Sequence, residues 1–150
     1  MNGFHVRVTE VDSRRLQALI DAALARGGRD GRNVEELERR LLEAEITPAT
    51  HIGPDVVTMN SEVLVTDLDT GERLGFRVVF PRAAASEARS ISVLAPLGMA
   101  VLGRKRGEQF TSRVPAGMRR LRVDEIVYQP EREGKDLAPS FASLSEEGAS

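Results

Sequence analysis

The chain has 150 residues, 41% of them hydrophobic and 29% charged, with a formal net charge of -2. That length suits one ordinary core, or one small domain with an appendage, rather than two full domains. The charge balance gives no global reason to expect nucleic-acid binding, and the lack of cysteine excludes disulfides, thiolate chemistry and Cys-based zinc sites.

The N-terminal ten residues mix charge with short apolar alternation and have no secretory core, and no apolar run approaches membrane-spanning length. A cytoplasmic protein with no membrane partner is expected. Phe4, Val6 and Val8 alternate with His5, Arg7 and Thr9, as in a short half-buried strand or an extended lead-in. Asp12 is the expected N-cap of a helix whose Leu16, Leu19, Ile20, Ala23 and Leu24 form one apolar stripe, ended by Gly27-Gly28. A second helix is announced by Asn33 with Glu36 three residues later, a capping-box spacing, and Val34, Leu37, Leu41 and Ala44 carry its stripe toward Pro48. Residues 1–50 therefore read as a short antiparallel helical hairpin. At about 14 residues per helix it is about 20 Å long.

After a linker at 51–55, the apolar period changes to two. Val63 and Val65 precede a turn at Asp69-Thr70-Gly71-Glu72, and Leu74, Phe76, Val78 and Phe80 return on one face. Ile91 and Val93 lead into LAPLGMAVLGRKRG at 94–107, an apolar strand end, a turn at 95–98 and one helical turn stopped by Gly103. Strands at 110–114 and 121–128, joined by a turn at 115–117, complete residues 54–130 as an antiparallel sheet of about five strands with one short helix. The fold class is α+β. Residues 131–150 lose the apolar pattern and gain acidic residues, and read as a disordered acidic tail.

The chain offers little for catalysis. His5 and His51 have no nucleophile or metal-ligand spacing beside them. The segment from Gly103 to Gly107 lacks the spacing of a phosphate-binding loop. Met59 and Met99 sit in apolar contexts and read as core. No cofactor, metal or enzymatic activity is expected. Charge is more informative: Arg104, Lys105, Arg106, Arg113, Arg119, Arg120 and Arg122 stand against Glu108 alone, a basic cluster that reads either as a solvated rim or as a docking face for an acidic protein surface. Aromatic content of 4% leaves few stacking platforms for single-stranded bases, so direct nucleic-acid contact is disfavoured.

The segments 91–110 and 54–61 (PDVVTMNS), with the short helical region before them, resemble the GreA/GreB transcription elongation factor family. Within it the closer resemblance is to the Rnk type, the regulators of nucleoside diphosphate kinase. The resemblance covers roughly residues 4 to 130. It implies an FKBP-like sheet for residues 54–130 and a non-enzymatic regulator that binds bacterial RNA polymerase near the secondary channel, touching nucleic acid only through the polymerase. It also implies a contact at Ala95, Pro96, Leu97 and Gly98, with Arg104, Lys105 and Arg106 as steering charges and Leu97 either an anchor or core. In the cleavage-stimulating members, carboxylates at the tip of a long coiled coil help hold Mg²⁺. Here the hairpin is short and its tip, with Arg29, Asp30 and Arg32, has a lone carboxylate among guanidinium groups, a poor Mg²⁺ ligand. Transcript cleavage is not expected. The alternatives are an FKBP-like peptidyl-prolyl isomerase, which needs an aromatic-lined apolar pocket, and a general protein-interaction module.

Overall fold

A computed structural model describes residues 6–27 and 31–137. Phe4, His5, Arg29, Asp30 and the acidic tail beyond residue 137 lie outside the described residues.

The chain opens with β1 (Arg7–Thr9) and runs directly into α1 (Glu10–Arg26). The cap of α1 is Thr9, not Asp12. Its backbone is extended and its hydroxyl accepts the Asp12 N–H at 2.9 Å, the same three-residue spacing as a capping box. Asp12 is consequently fully buried inside the first turn, and its Oδ2 accepts the Met59 N–H at 3.0 Å. α2 (Gly31–Glu43) likewise begins two residues before the expected Asn33 cap. β2 (Glu45–Thr47) then pairs with β1 in parallel, which requires a long crossover, and the two helices supply it.

A five-stranded sheet follows, in the order β5-β4-β3-β7-β6. It is built from β3 (Glu62–Asp67), β4 (Arg73–Val79), β5 (Ser90–Ser92), β6 (Gln109–Val114) and β7 (Gly117–Tyr128). Three of the four pairings are antiparallel, but β4 and β5 run parallel, because the short helix α3 (Pro81–Ala84) and the loop after it carry the chain back to Arg77, so that β5 pairs with the last three residues of β4. The alternation holds in β3, where Val63 and Val65 are fully buried. It slips in β7: Val65 faces Val123 while Leu64 faces Glu125, so Asp124 is extra. This bulge lets Val123 and Ile126, three residues apart, both enter the core and turns Val127 outward.

The final helix, α4 (Pro96–Val101), starts on Pro96, whose missing N–H costs nothing at that position. Gly98 and Gly103 allow it to lie close. A Cβ on Gly98 would stand 2.2 Å from the Ser92 carbonyl oxygen, and one on Gly103, at φ +82, would meet Val6 at 2.2 Å. Gly103 also joins the two parts of the molecule, accepting the Arg7 N–H at 3.3 Å and donating to Val57 O at 2.8 Å.

One core serves both parts. Leu16 and Ile20 of α1 and Val34 and Leu37 of α2 pack in the same cluster as Met59, Val63, Phe76, Val78, Met99, Leu102, Leu121 and Val123. α1, at 17 residues about 25 Å long, buries Leu16 and Ile20 in the core it shares with the sheet. Its last turn and the start of α2 flank a cleft whose other wall is Phe80, Pro81, Arg82 and Leu94. Residues 131–137, expected to belong to a disordered acidic tail, are held against the body. Glu131–Glu133 form a 3-10 turn, and Glu131, only 7% exposed, accepts the Thr58 hydroxyl at 2.7 Å.

Candidate docking surface

The residues singled out around α4 separate into buried and presented. Leu97 belongs to the core cluster, Gly98 is buried, and Ala95 is half-buried at the N-cap, which leaves Pro96 as the exposed side chain of the turn. Arg104 is 8% exposed. Its Nε donates to Ala100 O at 3.1 Å, its guanidinium lies 5.6 Å from the Phe110 ring centroid, and burial holds its pKa below the ordinary value. Arg104 is therefore a structural clasp between α4 and β6. Lys105 and Arg106 are exposed, and Arg106 reaches back to Asp124 O at 3.3 Å.

Most of the remaining basic cluster is balanced within the molecule. Arg119 pairs with Asp67 at 3.5 Å, Arg120 with Asp69 at 3.3 Å and Arg122 with Asp124 at 2.9 Å. The hydrogen bond from the Arg120 backbone N–H holds the Asp69 carboxyl below its ordinary pKa, and the Arg120 side chain adds to it. Burial pushes Asp124 upward, but the Thr66 hydroxyl and Arg122 outweigh it and hold this carboxyl low too. Ion pairs thus tie β7 to the end of β3 and the turn after it, and Arg122 to Asp124 within β7: Arg120–Asp69 and Arg122–Asp124 are the more exposed, while Asp67 is buried in phase with Val63 and Val65. The sequence concealed the ties to β3 because the acidic partners Asp67 and Asp69 lie some fifty residues upstream of the arginines.

A different surface collects the remaining features. α2 runs beside α4 and β6, and between them lies a groove of about 340 Å³ lined by Arg32, Asn33, Glu36, Arg40, Pro96, Met99, Ala100, Thr111, Ser112, Arg113 and Met118. It brings together Pro96 and Arg32, two residues that sequence reading had placed at separate sites. Arg113 belongs to the basic cluster already read from the sequence, whereas Arg40 and Met118 were missed. Met118, 56% exposed at the start of β7 among arginines, is the residue an apolar-in-basic pattern could have revealed. Glu36 is the groove's carboxylate and is paired with Arg39 and with Arg40, the latter at 3.1 Å. Arginines and apolar side chains together suit an acidic partner segment carrying an apolar anchor.

The aromatic side chains do not converge on one pocket among the described residues. Phe76 and Phe110 are core, Phe80 is the one aromatic residue lining the cleft at the end of α1, and Tyr128 is covered by Arg77 at 4.9 Å and Lys135 at 5.7 Å, so the aromatic-lined cradle needed by a prolyl isomerase is not assembled. No helix among them is long and apolar enough to cross a membrane.

Comparison with known proteins adds a consistent picture. Residues 51–128 match the family described as "Transcription elongation factor, GreA/GreB, C-term". The chain is 39% identical to a transcription elongation factor GreA of Thermotoga neapolitana over 71% of its own length and 67% of that protein. It is 32% identical to the regulator of nucleoside diphosphate kinase of Escherichia coli K12, over 87% of its own length and 94% of the relative. Among solved structures, a prokaryotic GreA/GreB elongation factor from Nitrosomonas europaea superposes with a TM-score of 0.67 at 30% identity, covering 82% of this chain and 99% of the other.

Proposed function

The chain belongs to the GreA/GreB transcription elongation factor family, and from that premise we propose a non-enzymatic transcription regulator that binds RNA polymerase near its secondary channel without stimulating transcript cleavage. The observation that carries this reading is near-complete coverage of the Escherichia coli regulator of nucleoside diphosphate kinase, helical region included, rather than of the sheet domain alone. The sheet is then the FKBP-like domain of the family and the helix pair a shortened counterpart of its coiled coil. A pair about 25 Å long that lies against its own sheet has no means to carry a carboxylate to a distant catalytic centre. The groove between α2, α4 and β6 is the docking surface of this reading, with Pro96 and Met118 as apolar contacts and Arg32 and Arg113 as charges. Pro96 comes from the segment that carries the family resemblance, and the groove places it among residues of α2 and β6 as one surface. The test is retention of core RNA polymerase on the immobilised protein, with and without excess GreA. Retention that GreA displaces supports the reading, and no retention rejects it.

A further inference from the structure

Two carboxylates are buried in one cluster where the C-terminal segment meets α1, well away from the docking groove. Asp12 is fully buried in the first turn of α1, and Glu131 is 7% exposed in the turn after β7. Both hold the same short loop. Asp12 Oδ2 accepts the Met59 N–H at 3.0 Å, and Glu131 Oε1 accepts the Thr58 hydroxyl at 2.7 Å, itself 2.9 Å from the Ser61 hydroxyl. Each carboxylate keeps one oxygen, Asp12 Oδ1 and Glu131 Oε2, buried with no donor among the described residues. Such an oxygen is costly when ionised and far less so when the group carries a proton.

The charges facing the cluster do not neutralise it. α1 contributes Arg15, which is ion-paired at 3.2 Å with Asp136 of the C-terminal segment. That segment contributes Glu131 and Asp136, and the loop at 58–61 contributes only hydroxyls and amides. Among the described residues, one cation therefore faces three carboxylates. Beyond Glu131 and Asp136, the segment's ties among the described residues include Arg132, whose guanidinium donates to Ile126 O at 3.1 Å and Val127 O at 3.0 Å, a Lys135 contact with the Tyr128 ring and backbone bonds from residues 133–135 to residues 129–131.

We propose that Asp12 and Glu131 form a proton-operated latch that holds residues 131–137 against α1 and the 58–61 loop, closed while the pair carries a proton and loosened when both are ionised. Burial pushes the Asp12 carboxyl up to about 7, with Glu131 and Asp136 adding to the effect and the Met59 N–H and Arg15 opposing it. Burial raises Glu131 as well. A raised carboxyl pKa means that the docked state favours the acid form, so the latch is firm at low pH and weakens as pH rises through about 7.

Amide hydrogen exchange of residues 133–135 in the full chain, expressed as protection factors to remove the intrinsic pH dependence, tests this between pH 5.5 and 8.5. Protection should fall roughly tenfold over that range in the wild-type protein. In Glu131→Gln, whose side-chain carbonyl still accepts from Thr58 but cannot gain charge, the fall should be clearly smaller than in the wild type, since Asp12 alone is left to titrate, and Asp12→Asn should shrink it likewise. If Asp12→Asn does not fold, Glu131→Gln decides alone. Wild-type protection that ignores pH, or a Glu131→Gln variant that keeps the wild-type dependence, overturns the latch.

Discussion

Gly98 shows how one side-chain hydrogen fixes an element. A methyl group there would sit 2.2 Å from a backbone oxygen of the preceding strand, so α4 could not settle beside β5 without moving. Gly98→Ala should destabilise the fold by about 2–4 kcal/mol in chemical denaturation. A change below 0.5 kcal/mol would mean that the close approach is not real. Asp12 makes a second residue-level prediction. Its carboxyl, near 3.8 in an unfolded chain, is pushed by burial to about 7 in the fold, so the stability it allows is complete below about pH 4 and is lost as pH rises through 7. Asp12→Asn should flatten that decline in urea midpoints measured from pH 5 to 8. Of these two features, a glycine in the turn was legible in the sequence. The burial of Asp12 was not, because its role is set by Met59, 47 positions away, and its local spacing suggested a cap that Thr9 supplies instead.

At the scale of elements, the short helix α4 and the strand β7 change what the basic cluster means. Leu97 points into the core, so Leu97→Ala should lower unfolding free energy by about 2–4 kcal/mol rather than act as a pure binding variant. Of the residues expected to steer, Lys105 and Arg106 are exposed, as is Arg113 of the groove, whereas Arg104 is buried. Reversing Lys105 and Arg113 to Glu should slow association with polymerase and flatten its salt dependence while leaving the melting temperature nearly unchanged. An association rate that ignores the reversal would make those residues a solvated rim. Strands β3 and β4 were readable from alternation with a turn between them. The bulge at Asp124 and the parallel pairing of β5 were not, since a single extra residue and a returning loop leave the local apolar pattern almost unchanged.

The whole molecule is one core shared by a helix pair and a sheet. Sequence periodicity identified both helices, but their stripes could not say whether they face each other alone or a sheet as well. Leu16, Ile20, Val34 and Leu37 do the latter. A helix pair held down in this way should give no cleavage of backtracked RNA above the intrinsic background in a purified stalled complex. Cleaved 3′ fragments that scale with added protein would defeat that expectation. The central claim is that the groove between α2, α4 and β6 docks on polymerase at the place used by the family. Its most direct test is the affinity of core RNA polymerase for the wild-type chain and for the exposed pair Pro96→Ala with Met118→Ala, each titrated with GreA as competitor. The account predicts saturable binding that GreA displaces, weakened at least tenfold in the double variant with its melting temperature preserved. Binding that GreA leaves untouched, or that the double variant retains in full, would contradict it.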